Sequence, residues 1–295
     1  MKYRVRHATR YGYSKPVDLA AHLLHLRPRR CTAQDVADER LTITPDPSRR
    51  VDRLDHFGNL VTWLFFDQPH NSFEVTSESV VEVRKPPHPN PDATPSWETV
   101  RDAARQPGPS AWHAAEFRCD SPMVPRLAAA GEYAAPSFAP GRTVLAALTD
   151  LNDRMYREFS FRAGATTIST PIAEVLERRQ GVCQDFTHLM LSSLRALGIP
   201  ARYTSGYIRT RPLPGQEQRR GADQSHAWVG AWLGPAHGWI GLDPTNGVLV
   251  GDEHVVVALG RDFSDISPVR GMILGGGRHV LRVGVDLEPI DPAPS

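Results

Sequence analysis

The chain has 295 residues, 40% of them apolar and 23% charged, and a formal net charge of +1. That length accommodates two ordinary domains with substantial cores, and the near balance of charge gives no ground for attraction to nucleic acid or a membrane surface. Three widely separated cysteines, Cys31, Cys119 and Cys183, form no Cys-x-x-Cys pair, so no disulfide framework, structural metal or cofactor is expected.

The first residues alternate in polarity instead of opening on an apolar run, and no stretch is apolar enough to span a bilayer. The expectation is a reducing, cytoplasmic setting. Residues 3–13 carry Tyr3, Val5, His7, Thr9, Tyr11 and Tyr13 on one side and Arg4, Arg6, Ala8 and Arg10 on the other, the period of a half-buried strand. His7 is expected to be a hydrogen-bonded core histidine. His22 and His25 lie in an apolar segment with no third ligand type nearby, which argues against a metal there. Leu41-Thr-Ile-Thr44 reads as another strand. Residues 51–54 and 60–66 flank the turn Asp55-His-Phe-Gly-Asn59 and predict a hairpin, and residues 73–83 alternate again. Residues 1–84 therefore predict a small antiparallel β domain, with no catalytic constellation of its own.

Pro86, Pro87, Pro89, Pro91 and Pro95 mark residues 85–96 as a linker or extended strap. Beyond it, in a second domain over residues 97–295, helical periodicity appears at 97–105, 123–134 and 143–159. In the last of these Leu145, Leu148, Leu151, Asn152, Met155 and Tyr156 share one face. Thr170-Pro171 predicts an N-cap and a proline at the first helical position. The next helix starts on a cysteine: Phe186, Leu189, Met190, Ser193, Leu194 and Leu197 follow Cys183 at helical spacing, and Gly198 and Pro200 stop it. Gly181 suits a tight reversal or a close approach by substrate. Residues 201–210 read as a strand, 211–222 as an exposed loop, and 225–233 with 239–242 as a hairpin around Gly234 and Gly238. The Gly275-Gly-Gly277 turn precedes a final strand.

Two readings of Cys183 are open: a small buried apolar residue, or a nucleophile in a first turn whose free N–H groups and dipole favour an anion. The hairpin adds His226 near its start and Asp243 at its end. A register pairing Leu233 with Ala236 would set these two opposite each other, with Trp228 beside His226 as a wall against water. A structural His–Asp hydrogen bond is one reading. A carboxylate holding an imidazole in the tautomer that takes a thiol proton is the other, and the three residues together favour it.

Gly181-Val-Cys183-Gln-Asp-Phe-Thr-His188, Gly221-Ala-Asp-Gln-Ser-His226-Ala-Trp228 and Gly241-Leu-Asp243-Pro-Thr-Asn246 resemble the three motifs of the transglutaminase-like superfamily. The Asp55-His-Phe-Gly-Asn59 turn and the Gly260 to Gly271 segment resemble the bacterial members in which such a core follows an N-terminal β domain. The resemblance implies an α+β fold of papain-like kind, a cysteine-headed helix packed on an antiparallel sheet. It further implies Cys183 as nucleophile, His226 as general base and then acid, and Asp243 as orienting carboxylate in acyl transfer through a thioester. The substrate would be a peptide or another amide. Animal transglutaminases use an upstream tryptophan as an oxyanion donor, and no tryptophan lies between Trp112 and Cys183, so hydrolysis is expected ahead of amine transfer or a non-catalytic binding role. Gln180 and Gln184 are candidate oxyanion donors, and Asp185, His188, Trp228 and Asn246 are candidates to support the three principal residues. Arg261, Asp262, Asp265 and Arg270 are expected to pair internally.

Overall fold

A computed structural model describes residues 1–106, 108–209 and 224–290. The loop expected at 211–222 lies outside these residues. The first five strands are β1 (Lys2–Leu24), β2 (Gln34–Thr44), β3 (Arg49–Leu54), β4 (Leu60–Phe66) and β5 (His70–Val83), ordered β2-β5-β1-β4-β3 and all antiparallel. β1 joins the strand expected at 3–13 to the apolar segment after it. Its pairing with β5 shifts register between Gly12 and Val17, where Pro16 has no N–H to give. His7 is buried and bonded to Tyr207 and Thr9 at 2.8 and 2.9 Å, the core role expected. His22 stacks on Phe73 with ring centroids 4.5 Å apart, and burial pushes its imidazole down to about 4.

The helices are α1 (Trp97–Ala103), α2 (Pro109–Ala115), α3 (Ala128–Ala134) and α4 (Val144–Glu158), followed by β6 (Ser160–Phe161), α5 (Ile172–Arg178), β7 (Gln180–Gly181) and α6 (Cys183–Ala196). Three local expectations shift. α3 starts at Ala128 and not at Met123, because Pro125 would break the interior and the Met123 N–H goes instead to Asp262 at 2.8 Å. Pro171 takes the N-cap of α5, while the Thr170 hydroxyl accepts from the Thr167 N–H. Tyr156 leaves the buried face of α4 and is 55% exposed.

The second sheet holds β8 (Ala201–Ile208), β9 (Gln224–Trp232), β10 (Trp239–Asp243), β11 (Val248–Leu249) and β12 (His254–Gly260), in the order β11-β10-β9-β8-β12. α6 packs against β8, β9, α3 and α5, so it is buried on all sides from Asp185 to Arg195. One stripe was expected. Two of the polar residues this buries find partners along the chain: Ser192 Oγ donates to Pro125 O at 2.6 Å, and Arg195 donates to the carbonyls of Phe117, Ala201 and Arg261 and to Ser121 Oγ. The expected Arg261–Asp265 pairing is present, with two contacts of 2.9 Å.

Two features of the structure cross the expected division at residues 84 and 97. Residues assigned to the second domain, β13 (Val269–Gly275) and β14 (His279–Pro289), pair with β1, opposite β4 and β5 respectively. The break between them falls at Gly275 to Gly277, where φ is +94°, +82° and +62° and an L side chain would be strained. The two sheets also share one core, in which Tyr3, Val81 and Leu287 cluster with Leu189, Val229 and Val255. The free edge of β12 is closed by side-chain amides from the first sheet. Gln34 bonds both the N–H and the C=O of Val256 at 2.8 Å, and Asn59 does the same to Leu259 at 2.8 and 2.7 Å. This explains the Asp55-His-Phe-Gly-Asn59 turn, whose Asp55 holds the Asn59 amide at 2.8 Å.

Candidate functional site

The cysteine turn is built by its neighbours. Asp185, three residues into α6, reaches back so that its Oδ2 accepts from the Val182 N–H at 2.8 Å and from Thr166 Oγ1 at 2.6 Å, the reciprocal half of a capping box. A side chain at Gly181 would put Cβ 2.7 Å from that oxygen. The close approach that demands glycine is thus made by Asp185 and not by a substrate. Asp185 serves the turn that presents Cys183 and does not reach the imidazole. Cys183 is half-buried, whereas Cys31 and Cys119 are exposed, and Gln184 stands half-buried beside it in the same turn.

His226 and Asp243 meet, through a different register from the expected one. Trp239 pairs with Trp232 and Leu242 with Val229. Leu233 therefore faces Gly238 and the hairpin loop is two residues longer than expected, so continuing that register sets Asp243 opposite Trp228. It reaches His226 along the diagonal, a contact that same-face residues two apart can make. His226 Nε2 lies 2.7 Å from Asp243 Oδ2, and Cys183 is the other group close enough to act on the ring. With Nε2 engaged by the carboxylate, Nδ1 is the nitrogen left for the sulfur. Burial alone would lower the His226 pKa, but the bond to Asp243 and the nearby Cys183 override it and raise it to about 10. Burial opposes ionisation of Asp243, yet the bonds from His226 and His254 hold its carboxyl well below the usual range.

Asn246 lies in this group: its Nδ2 donates to Asp243 Oδ2 at 2.7 Å and lies 3.4 Å from His226 Nε2. Trp228, 2% exposed, stands beside His226 with ring centroids 6.0 Å apart. His188 does not join. It lines a cavity of about 660 Å³ with Met123, Ile172 and Phe263, which none of Cys183, His226 and Asp243 borders. Its Nε2 accepts from the Phe263 N–H at 3.3 Å, and burial pushes its pKa down to about 4. One residue went unnoticed in the sequence: His254, the first residue of β12, whose Nε2 lies 3.2 Å from Asp243 Oδ2. Its only signal is a histidine opening a strand after a turn, because its partner is chosen by sheet pairing. The ligand atoms of His226, Asp243 and His254 lie within 4.8 Å of one another, close enough to share a cation. In the structure they satisfy each other as donors and acceptor.

A cysteine-headed helix packed on an antiparallel sheet that carries histidine and aspartate is the papain-like arrangement. Residues 3–82 match the bacterial transglutaminase-like N-terminal region and residues 132–244 match the transglutaminase-like superfamily core. The chain belongs to the transglutaminase-like superfamily. An uncharacterized protein of Mycobacterium tuberculosis is 41% identical over 274 residues, 91% of this chain and 86% of the relative. The solved structure of a candidate cysteine protease from Cytophaga hutchinsonii superposes with a TM-score of 0.75 at 20% identity, covering 100% of this chain and 92% of that one. A protein-glutamine gamma-glutamyltransferase of Pseudomonas aeruginosa is 30% identical over 122 residues, 41% of this chain and 18% of that protein. Among the described residues, no helix is long and apolar enough to cross a membrane.

Proposed function

We propose that the protein is a thiol-dependent acyl-transfer enzyme that cleaves peptide or amide bonds, with water as the second acceptor. The observation that carries this reading is the buried His226–Asp243 pair, 2.7 Å apart, beside the half-buried Cys183 at the head of α6. In the first step the Cys183 sulfur attacks the amide carbonyl carbon, the C–N bond breaks, and the His226 imidazolium gives its proton to the departing amine. In the second, water attacks the thioester, His226 takes the water proton, and acid and thiol are released. N–H groups of the first turn of α6 are placed to receive the oxyanion. Transfer to an amine is the second reading, favoured by the name of the Pseudomonas aeruginosa relative and disfavoured by the missing upstream tryptophan.

The test is to incubate the whole protein with a library of amides and weigh the intact chain. A mass adduct lost in Cys183→Ala supports the reading. Iodoacetamide labelling is the companion: Cys31 and Cys119 are the more exposed thiols, so access alone favours them. Faster labelling of Cys183 would therefore report activation by its neighbours. Labelling of Cys183 no faster than the other two, with no adduct, would leave a binding module. Incorporation of an added primary amine in place of water would identify the transferase.

A further inference from the structure

Asp243 is fully buried and its carboxylate receives hydrogen bonds from every direction. Oδ1 accepts from the N–H groups of Thr245 and Asn246 at 3.0 and 3.2 Å. Oδ2 accepts from Asn246 Nδ2 and faces two imidazoles, His226 Nε2 at 2.7 Å and His254 Nε2 at 3.2 Å. The second imidazole has a defined tautomer. The Gly251 N–H points at His254 Nδ1 at 3.4 Å, which makes Nδ1 an acceptor and leaves the proton on Nε2, facing Asp243. The His254 ring is 5% exposed and meets Trp228 edge-on with centroids 5.2 Å apart, so it cannot turn away without disturbing that packing.

Resting on the acyl-transfer reading above, we propose that His254 is a positioning residue. By donating to the same oxygen that receives the His226 proton, it fixes the carboxylate and moderates the pull of Asp243 on His226. The titratable groups facing His226 are Cys183 from α6, Asp243 from β10 and His254 from β12. An acceptor that gives up one donor draws more strongly on those that remain. Without the His254 N–H, the His226 imidazolium is held harder and is a weaker proton donor to the leaving amine.

Two variants separate this role from packing. His254→Phe keeps a ring against Trp228 and removes the donor. His254→Gln loses the ring and brings an amide N–H to the place of Nε2–H. The readout is the pH dependence of Cys183 alkylation in the full chain, where the alkaline transition marks loss of the His226 proton. His254→Phe is expected to move that transition up by about half to one unit, and His254→Gln to stay near wild type. An unchanged His254→Phe profile, or a glutamine variant more disturbed than the phenylalanine one, would overturn the proposal. Should a variant fold poorly, ¹⁵N spectra of the wild-type histidine rings decide: the proton of His254 is expected on Nε2, and finding it on Nδ1 overturns the assignment. Zinc bound tightly by wild type and lost in both variants would make the cluster a cation site and refute the role as well. If wild-type Cys183 labels no faster than Cys31, the acyl-transfer reading fails by itself, while the ring spectra still report on His254.

Discussion

Asp243→Asn exchanges one atom and tests how far the site depends on a charge in this position. The amide must place its NH₂ either toward the Oδ2 partners, His226, His254 and Asn246, or toward the two backbone N–H groups at the Oδ1 position. In both orientations donors face donors at a fully buried site, which costs about 1–3 kcal/mol of stability. The catalytic loss is larger. With an N–H toward it, His226 Nε2 becomes an acceptor and its proton moves to Nδ1, the side that must receive the thiol proton. A carboxylate-to-amide exchange at the corresponding place in serine triads costs about 10⁴-fold, or about 5 kcal/mol of barrier at 1.36 kcal/mol per tenfold. The assay is kcat/KM on whichever amide forms the adduct, beside the pH profile of Cys183 alkylation between pH 5 and 10. The alkaline transition of wild type, set by a His226 pKa of about 10, should fall in the variant toward or below the free-imidazole value. A folded Asp243→Asn protein within tenfold of wild-type kcat/KM, with an unchanged alkylation profile, would refute the role given to Asp243.

The same pair governs stability against pH. His226 is raised from 6.5 to about 10, so its contribution is complete below pH 6.5 and lost as pH rises through 10. Melting temperatures of wild type should decline over that window more steeply than those of Asp243→Asn. Asp243, with its pKa lowered, contributes in full above the ordinary carboxylate range and loses that contribution on strong acidification. Arg195→Leu should destabilise by about 3–5 kcal/mol in a urea titration, because the carbonyls of Phe117, Ala201 and Arg261 lose a buried cationic donor. Gly181→Ala should cost about 1–3 kcal/mol and slow Cys183 labelling, since its Cβ would lie 2.7 Å from Asp185 Oδ2 and 2.8 Å from its Cβ. A variant as stable and as readily labelled as wild type would contradict the place assigned to Asp185.

Local chemistry was legible in the sequence where a local rule decides it. The cysteine helix was bounded by helical spacing and by Gly198, and the structure runs it from Cys183 to Ala196. The hairpins around Asp55 to Asn59 and Gly234 to Gly238 followed from turn residues and alternation. Choices made between distant segments were hidden. Nothing local says that residues 269–289 lie along β1, because an alternating strand fits any open edge. The hairpin register was misjudged by the length of its loop, although the His226–Asp243 contact survived because same-face diagonal neighbours remain within reach. His188 carried the resemblance to a motif, yet its place on α6 turns it to another cavity. His254 was invisible because its meeting with Asp243 depends on the order of strands in a sheet.

The amides of Gln34 and Asn59 sit on β12, and β12 opens with His254. The amino-terminal sheet is therefore a splint for the strand that delivers the second imidazole. Removing it would leave the raw margin of β12 free to recruit a neighbouring chain, and would loosen a histidine that rests against Asp243. Damage far from the sulfur, at a glutamine or an asparagine with no chemistry of its own, would then reach the reacting proton along a single strand.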